Sequence, residues 1–200
     1  MESYAQNKQD IVILKYLNQK TNGYFLDIGC GYPITINNTY LMEKNLNWDG
    51  LSIDIDNYIE PNGKSWEEVR NSKRVLNDAL TINYTDLLEK NNAPKIIDFL
   101  SMDLEPPQLT LECLFKVPFD EYQFNVILFE IDDEREPNFM ERKLISREYL
   151  TSKGYRLIGN IVGQDDLYIH NSITTDVNFY DSLREINIPD HIIEYFNKNL

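Results

Sequence analysis

The chain has 200 residues, 42% hydrophobic and 26% charged. That is the size and balance of a single globular domain, and it excludes a collagen, a coiled coil and a disordered tail. Asp and Glu outnumber Lys and Arg by 33 to 19, a net charge of −14, which repels phosphate backbones and makes nucleic acid a poor first choice of partner. No stretch approaches the roughly 18 to 20 consecutive apolar residues of a membrane helix, and the opening MESYAQNKQD lacks the basic and apolar regions of a leader. No membrane partner and a cytoplasmic location are therefore expected. Cys30 and Cys113 make neither a disulfide framework nor a zinc site on their own.

In chain order, Ile11, Leu14 and Leu17 predict an opening amphipathic helix ending near Asn22-Gly23, with Gly23 as a left-handed cap. A buried strand follows at Tyr24 to Ile28, then a helix from Thr39 to Asn45, a strand from Leu51 to Ile55 and a helix from Ser65 to Ser72. A short strand over Arg74 to Leu76 and a helix over Asp86 to Lys90 continue the alternation of βαβ units. Ile96 to Met102 and Phe124 to Phe129 are nearly continuous apolar runs, the pattern of central parallel strands covered on both faces. A helix over Phe139 to Lys153, stopped by Gly154, leads to strands Tyr155 to Val162 and Leu167 to His170. The short turn at Gly163 to Asp166 between those strands allows only an antiparallel hairpin. The whole, residues 1–200, reads as one α/β domain with a mostly parallel seven-stranded sheet, a C-terminal antiparallel hairpin and helices on both faces. This is the plan of the Rossmann-like methyltransferase fold. A helical extension at about 174–200, with a helix over Pro189 to Lys198, lies outside that plan.

The strongest local signal is Phe25-Leu26-Asp27-Ile28-Gly29-Cys30-Gly31, an apolar strand ending in an acid and a Gly-x-Gly turn that admits a ligand close to the backbone. A dinucleotide fingerprint needs a third glycine where this chain has Ile34 after Pro33, which speaks against NAD. A methyl-donor site needs no pyrophosphate cradle, so Asp27 is free to face an amine while Gly29 and Gly31 admit the ligand. The plain alternative is an ordinary tight turn. Asp54 ends the second strand, where an acid accepts both ribose hydroxyls, and Asp56 reads as a cap of the following loop. Asp78 and Ala79, after the third strand, suit an adenine ring and its amino group. Asp103, Glu105 and Glu130 end strands four and five, and converging acids there imply either a raised-pKa general base or a shared divalent cation. Capping of the next helix is the alternative for Asp103 and Glu105. His170 and His191 read as surface or core residues.

The run Ser3-Tyr4-Ala5-Gln6, Gly23-Tyr24-Phe25-Leu26-Asp27-Ile28-Gly29, Leu41-Met42-Glu43 and Trp48-Asp49-Gly50-Leu51-Ser52-Ile53-Asp54 resembles the opening of FkbM-type methyltransferases. Asn77-Asp78-Ala79-Leu80, Ser101-Met102-Asp103-Leu104-Glu105, Phe124 to Glu130 and Asp165 to Ile169 resemble the later blocks of that family, so the likeness covers residues 3 to 170. The resemblance implies methyl transfer from S-adenosyl-L-methionine to a hydroxyl of a small-molecule or sugar acceptor, with Asp27, Gly29, Asp54 and Asp103 at the cofactor edge. Two departures stand out: Pro106-Pro107 follow Glu105 where the family has Gly and a further acid, and Cys30-Gly31 replaces an Ala-containing turn. The proline pair stiffens the acceptor side and favours the rival reading, a non-catalytic protein that keeps the cofactor pocket to bind a partner.

Overall fold

The structure, a computed structural model, describes residues 2–131 and 138–198. Seven strands form one sheet: β1 (Tyr24–Ile28), β2 (Asp49–Asp54), β3 (Lys73–Leu76), β4 (Ile96–Met102), β5 (Gln123–Glu130), β6 (Tyr155–Ile161) and β7 (Asp165–His170). Their order is β3-β2-β1-β4-β5-β7-β6. The first five run parallel, and β7 is antiparallel to both β5 and β6. A reversed strand inserted between β5 and β6 is the Rossmann-like methyltransferase arrangement expected from the sequence.

Alternation along the strands divides the core. Leu26, Ile28, Leu51, Ile53, Leu100 and Met102 point to one face, where α4 (Tyr84–Lys90), α5 (Gln108–Leu114) and α6 (Phe139–Ser152) cover them with Leu88, Leu114 and Leu150. Phe25, Phe99, Val126 and Leu128 point the other way, under α1 (Gln9–Tyr16), α2 (Tyr40–Leu46), α7 (Phe179–Glu185) and α8 (Asp190–Asn197). The central parallel strands are thus covered on both sides, which is why β4 and β5 read as continuous apolar runs. Among the described residues no helix is long and apolar enough to cross a membrane.

Four local readings are corrected. The first helix stops at Tyr16, because Asn18 and Gln19 take left-handed φ values of 50° and 53°. Gly23 is not its cap; a Cβ there would lie 2.4 Å from the Trp48 ring, so the glycine makes room for that indole. The helix expected over Ser65 to Ser72 is one turn, α3 (Trp66–Val69), opened by a Ser65–Glu68 capping box and ended by extended Arg70. Pro106-Pro107 do not merely stiffen a loop: they start α5, with Pro107 at φ −56° in a position where a helix needs no backbone donor. The Thr110 hydroxyl closes that turn, accepting from the Leu104 N–H at 2.9 Å and donating to the Leu104 carbonyl at 3.1 Å.

The C-terminal segment belongs to the domain rather than extending from it. Phe179, Leu183, Ile186 and Ile193 are buried in the same cluster as α1 and β7. Asn197 on α8 accepts from the Asn160 N–H at 2.8 Å and donates to the Asn160 carbonyl at 3.1 Å, on the outer side of β6.

Candidate functional site

The C-terminal ends of the five parallel strands open on a cavity of about 730 Å³. The β1 turn contributes Gly29 to Tyr32, β2 contributes Asp54 to Asp56, and β3 contributes Asp78 to Leu80. Asp103 to Glu105 follow β4, Glu130 ends β5, and Gln6 reaches in from the N-terminal segment. Of the sequence-predicted site residues, Gly29, Gly31, Asp54, Asp78, Ala79, Asp103, Glu105 and Glu130 line this one cavity.

Asp27 is the exception. It shares a sheet row with Ser52 and Ser101, on the α2 side, and is 2% exposed. Its carboxylate accepts from the Thr39 hydroxyl at 2.9 Å and from Ser101, and burial pushes its carboxyl up to about 6 against the pull of Arg70. The period of two explains the placement, since Asp27 lies one residue out of phase with Leu26 and Ile28. Asp27 therefore acts on the cavity through the loop it holds. Thr39 also accepts from buried Arg70 at 3.0 Å, and the same guanidinium bonds the Pro33 carbonyl, Asn37 and Glu43.

The Gly-x-Gly turn divides its labour. Gly29, at φ +83°, has its missing Cβ against the Asp103 carbonyl, 1.7 Å away, so it is a packing glycine between β1 and β4. Gly31, at φ +60°, faces open space, with nothing within 4 Å of an added Cβ. Asp54 shapes the turn: it accepts from the Gly31 N–H at 2.8 Å and the Asp56 N–H at 3.0 Å. The loop-capping role expected of Asp56 thus belongs to Asp54, because Asp54 is the last strand residue and its carboxylate meets both turns. Each carboxylate oxygen keeps a second acceptor site for a ligand hydroxyl. Asp78 caps the 3-10 turn at Ala79–Thr81 through the Leu80 N–H at 2.9 Å and still lines the cavity.

The N-terminus of α5 carries no side-chain cap, so Asp103 is not spent on helix capping. Among the described residues no group of three or more His, Cys, Asp or Glu is arranged to hold a metal ion. The described residues therefore do not form the shared divalent-cation site that converging strand-end acids would imply. His170 bonds Ser172 on the surface, and His191 lies on α8, away from the cavity.

Several features had no sequence signal. Glu60, 5% exposed, accepts from the Ile34 and Thr35 N–H groups at 2.6 and 2.9 Å and from the Thr35 hydroxyl at 2.7 Å. It fastens the loop at Ile36, a β-branched residue at φ +52° that lines the cavity. Tyr32 and Tyr58 pair at the cavity wall with ring centroids 5.1 Å apart. Asp165 stands opposite Glu130 in the β5–β7 register, 6% exposed, and accepts from Gln9 at 2.8 Å. Burial pushes its carboxyl up to about 7, with Asp103 and Asp166 adding repulsion. Cys30 also lines the cavity, and burial holds its thiol well above the usual range, so it is not a thiolate nucleophile. Loop-to-loop contacts of this kind follow no period, which is why the pattern of residues did not reveal them.

No family model matches the chain, and no curated protein matches it. Among solved structures, a protein described as a DNA modification methyltransferase encoded within a prophage (E. coli) aligns with a TM-score of 0.48 and 16% identity, over 78% of this chain and 49% of that one. The chain spans about half the length of that structure.

Proposed function

We propose that the chain is an S-adenosyl-L-methionine-dependent methyltransferase acting on a hydroxyl of a small molecule or sugar, as its resemblance to FkbM-type enzymes implies. The observation that carries this reading is the cavity itself: one space at the strand ends that joins the open side of Gly31 and the Asp54 carboxylate to Asp103, Glu105 and Glu130. Gly31 leaves room for a ligand chain, Asp54 suits a ribose hydroxyl pair, and Asp78 with Ala79 suits the adenine end. The bound cofactor would supply a methyl carbon on a positively charged sulfur. The protein's work is to orient the acceptor oxygen toward that carbon, exclude water, and receive the hydroxyl proton on one of the three strand-end carboxylates. The chain's own part in the reaction is the proton, which one of those carboxylates would accept from the acceptor hydroxyl as that oxygen takes up the methyl group the cofactor would supply. The proline pair that would favour a non-catalytic role opens α5 and leaves Asp103 and Glu105 on the cavity wall.

Calorimetry tests the assignment. S-adenosyl-L-methionine and its demethylated product should bind, and Asp54→Ala should weaken both by about 1.5 to 3 kcal/mol, the range for hydrogen bonds to a charged group. Unchanged affinity in the variant would remove the ribose role from Asp54, and absence of binding to the parent chain would end the transferase reading.

A further inference from the structure

Both usual means of holding an anion are missing from the described cavity wall. Its lining residues include six carboxylates, Asp54, Asp56, Asp78, Asp103, Glu105 and Glu130, and no lysine, arginine or histidine. The other source of anion affinity is a row of backbone N–H groups in a glycine turn. Here five N–H groups of that row are taken by the chain: Gly29 and Cys30 donate to the Ile53 carbonyl, Gly31 to Asp54, and Ile34 and Thr35 to Glu60. Pro33 has no N–H to offer. The turn that cradles phosphate in dinucleotide sites is filled by the protein's own acids.

The same wall offers two features that suit a cation. Tyr32 and Tyr58, each 36% exposed, both line the cavity with their rings tilted by 54° to each other, and an aromatic ring attracts a cation. Burial raises the Tyr58 phenol, and Asp54, Asp56 and Glu105 raise it further, so negative charge surrounds that ring.

We propose that the acceptor is a small molecule carrying a protonated amine beside its hydroxyl, anchored by the Tyr32–Tyr58 pair and the neighbouring carboxylates, and that phosphate-bearing acceptors, nucleic acid included, are refused. This rests on reading the cavity as the cofactor and acceptor site. The discrimination comes from charge on both sides of the comparison: an ammonium gains from the acids and rings, while a phosphate meets like charge and no cationic side chain on the described wall.

Saturation-transfer NMR on the full chain, with and without S-adenosylhomocysteine, can read the preference on hydroxyl compounds that share one sugar ring and differ in charge. Glucosamine, glucose and glucose 6-phosphate form one such triplet. The amine should bind about tenfold tighter than its neutral partner at low salt, with the gap closing near 1 M salt. Asp56→Asn and Tyr58→Leu should each cut the gap about threefold. Equal or tighter binding of neutral or phosphorylated members, no amine binding in any triplet, a gap untouched by both variants, or binding of a short single-stranded DNA would overturn the proposal. Amine preference without calorimetric binding of S-adenosyl-L-methionine would sink the transferase reading and with it the acceptor role, leaving an ammonium-selective cavity; cofactor binding without amine preference would keep the transferase reading and overturn this proposal alone.

Discussion

Two buried aspartates show how position, more than residue type, decides what a carboxylate does. Asp54 and Asp165 both stand at strand ends, yet one is stitched into two turns by N–H donors and the other faces Gln9 among acids. Burial lifts the Asp165 carboxyl from an ordinary 3.8 to about 7, so between those values the folded chain holds a proton that the unfolded chain has released. Stability therefore falls as pH rises through that window and levels off above it, by about 4 kcal/mol if the full shift is expressed. Asp165→Asn cannot ionise and should lose this slope, matching the parent near pH 4 and exceeding its stability by about 2 to 4 kcal/mol above pH 7. Urea midpoints measured across that range give the answer, and a variant that keeps the parent's slope would show that Asp165 is solvated.

At the scale of elements, the contact between β6 and α7 is one of those that tie the C-terminal segment to the sheet. Gly159 sits under the Phe179 ring, where an added Cβ would lie 2.0 Å from Cε1. Because Phe179 is 6% exposed, the ring has little room to retreat, and Gly159→Ala should cost about 1 to 3 kcal/mol by overpacking. Adding Phe179→Leu should recover part of that loss. Failure of the second change to recover any stability would place the strain elsewhere. This contact was invisible in the sequence, whereas the strands were not. Tyr24–Ile28 and Ile96–Met102 were predicted with their observed bounds, since both are apolar runs closed by polar turns. The hairpin followed from the shortness of its connection. What escaped were the bounds of α5 and α7, two-turn helices too short to set a period. Strand ends are local and therefore legible, so eight of the nine predicted site residues face one cavity. Asp27 misled because a motif gives the residue but not the face, and the face was set by Leu26 and Ile28 beside it.

For the whole molecule, a charge of −14 on 200 residues is a uniform repulsion that folding concentrates. Raising salt from about 0.01 M to about 1 M shortens the screening length from about 30 Å to about 3 Å, and the urea midpoint should rise with an unchanged slope. The exposed ion pairs that salt weakens, such as Lys153–Asp120 and Arg184–Asp190, contribute too little to reverse the trend. A midpoint that falls with salt would mean that attraction, not repulsion, dominates the field. The charge also bears on β6, the last strand of the sheet, where an open row of N–H and C=O groups invites a second chain to add itself. Asn197 lays its carboxamide on that row and occupies both groups of Asn160 with one side chain. A single amide thus imitates a neighbouring strand for the length of one residue, which interrupts any continuous template along the border. Helix α8 thus acts as a stopper against templated self-association, and removing it should bare this border of the sheet to a second chain.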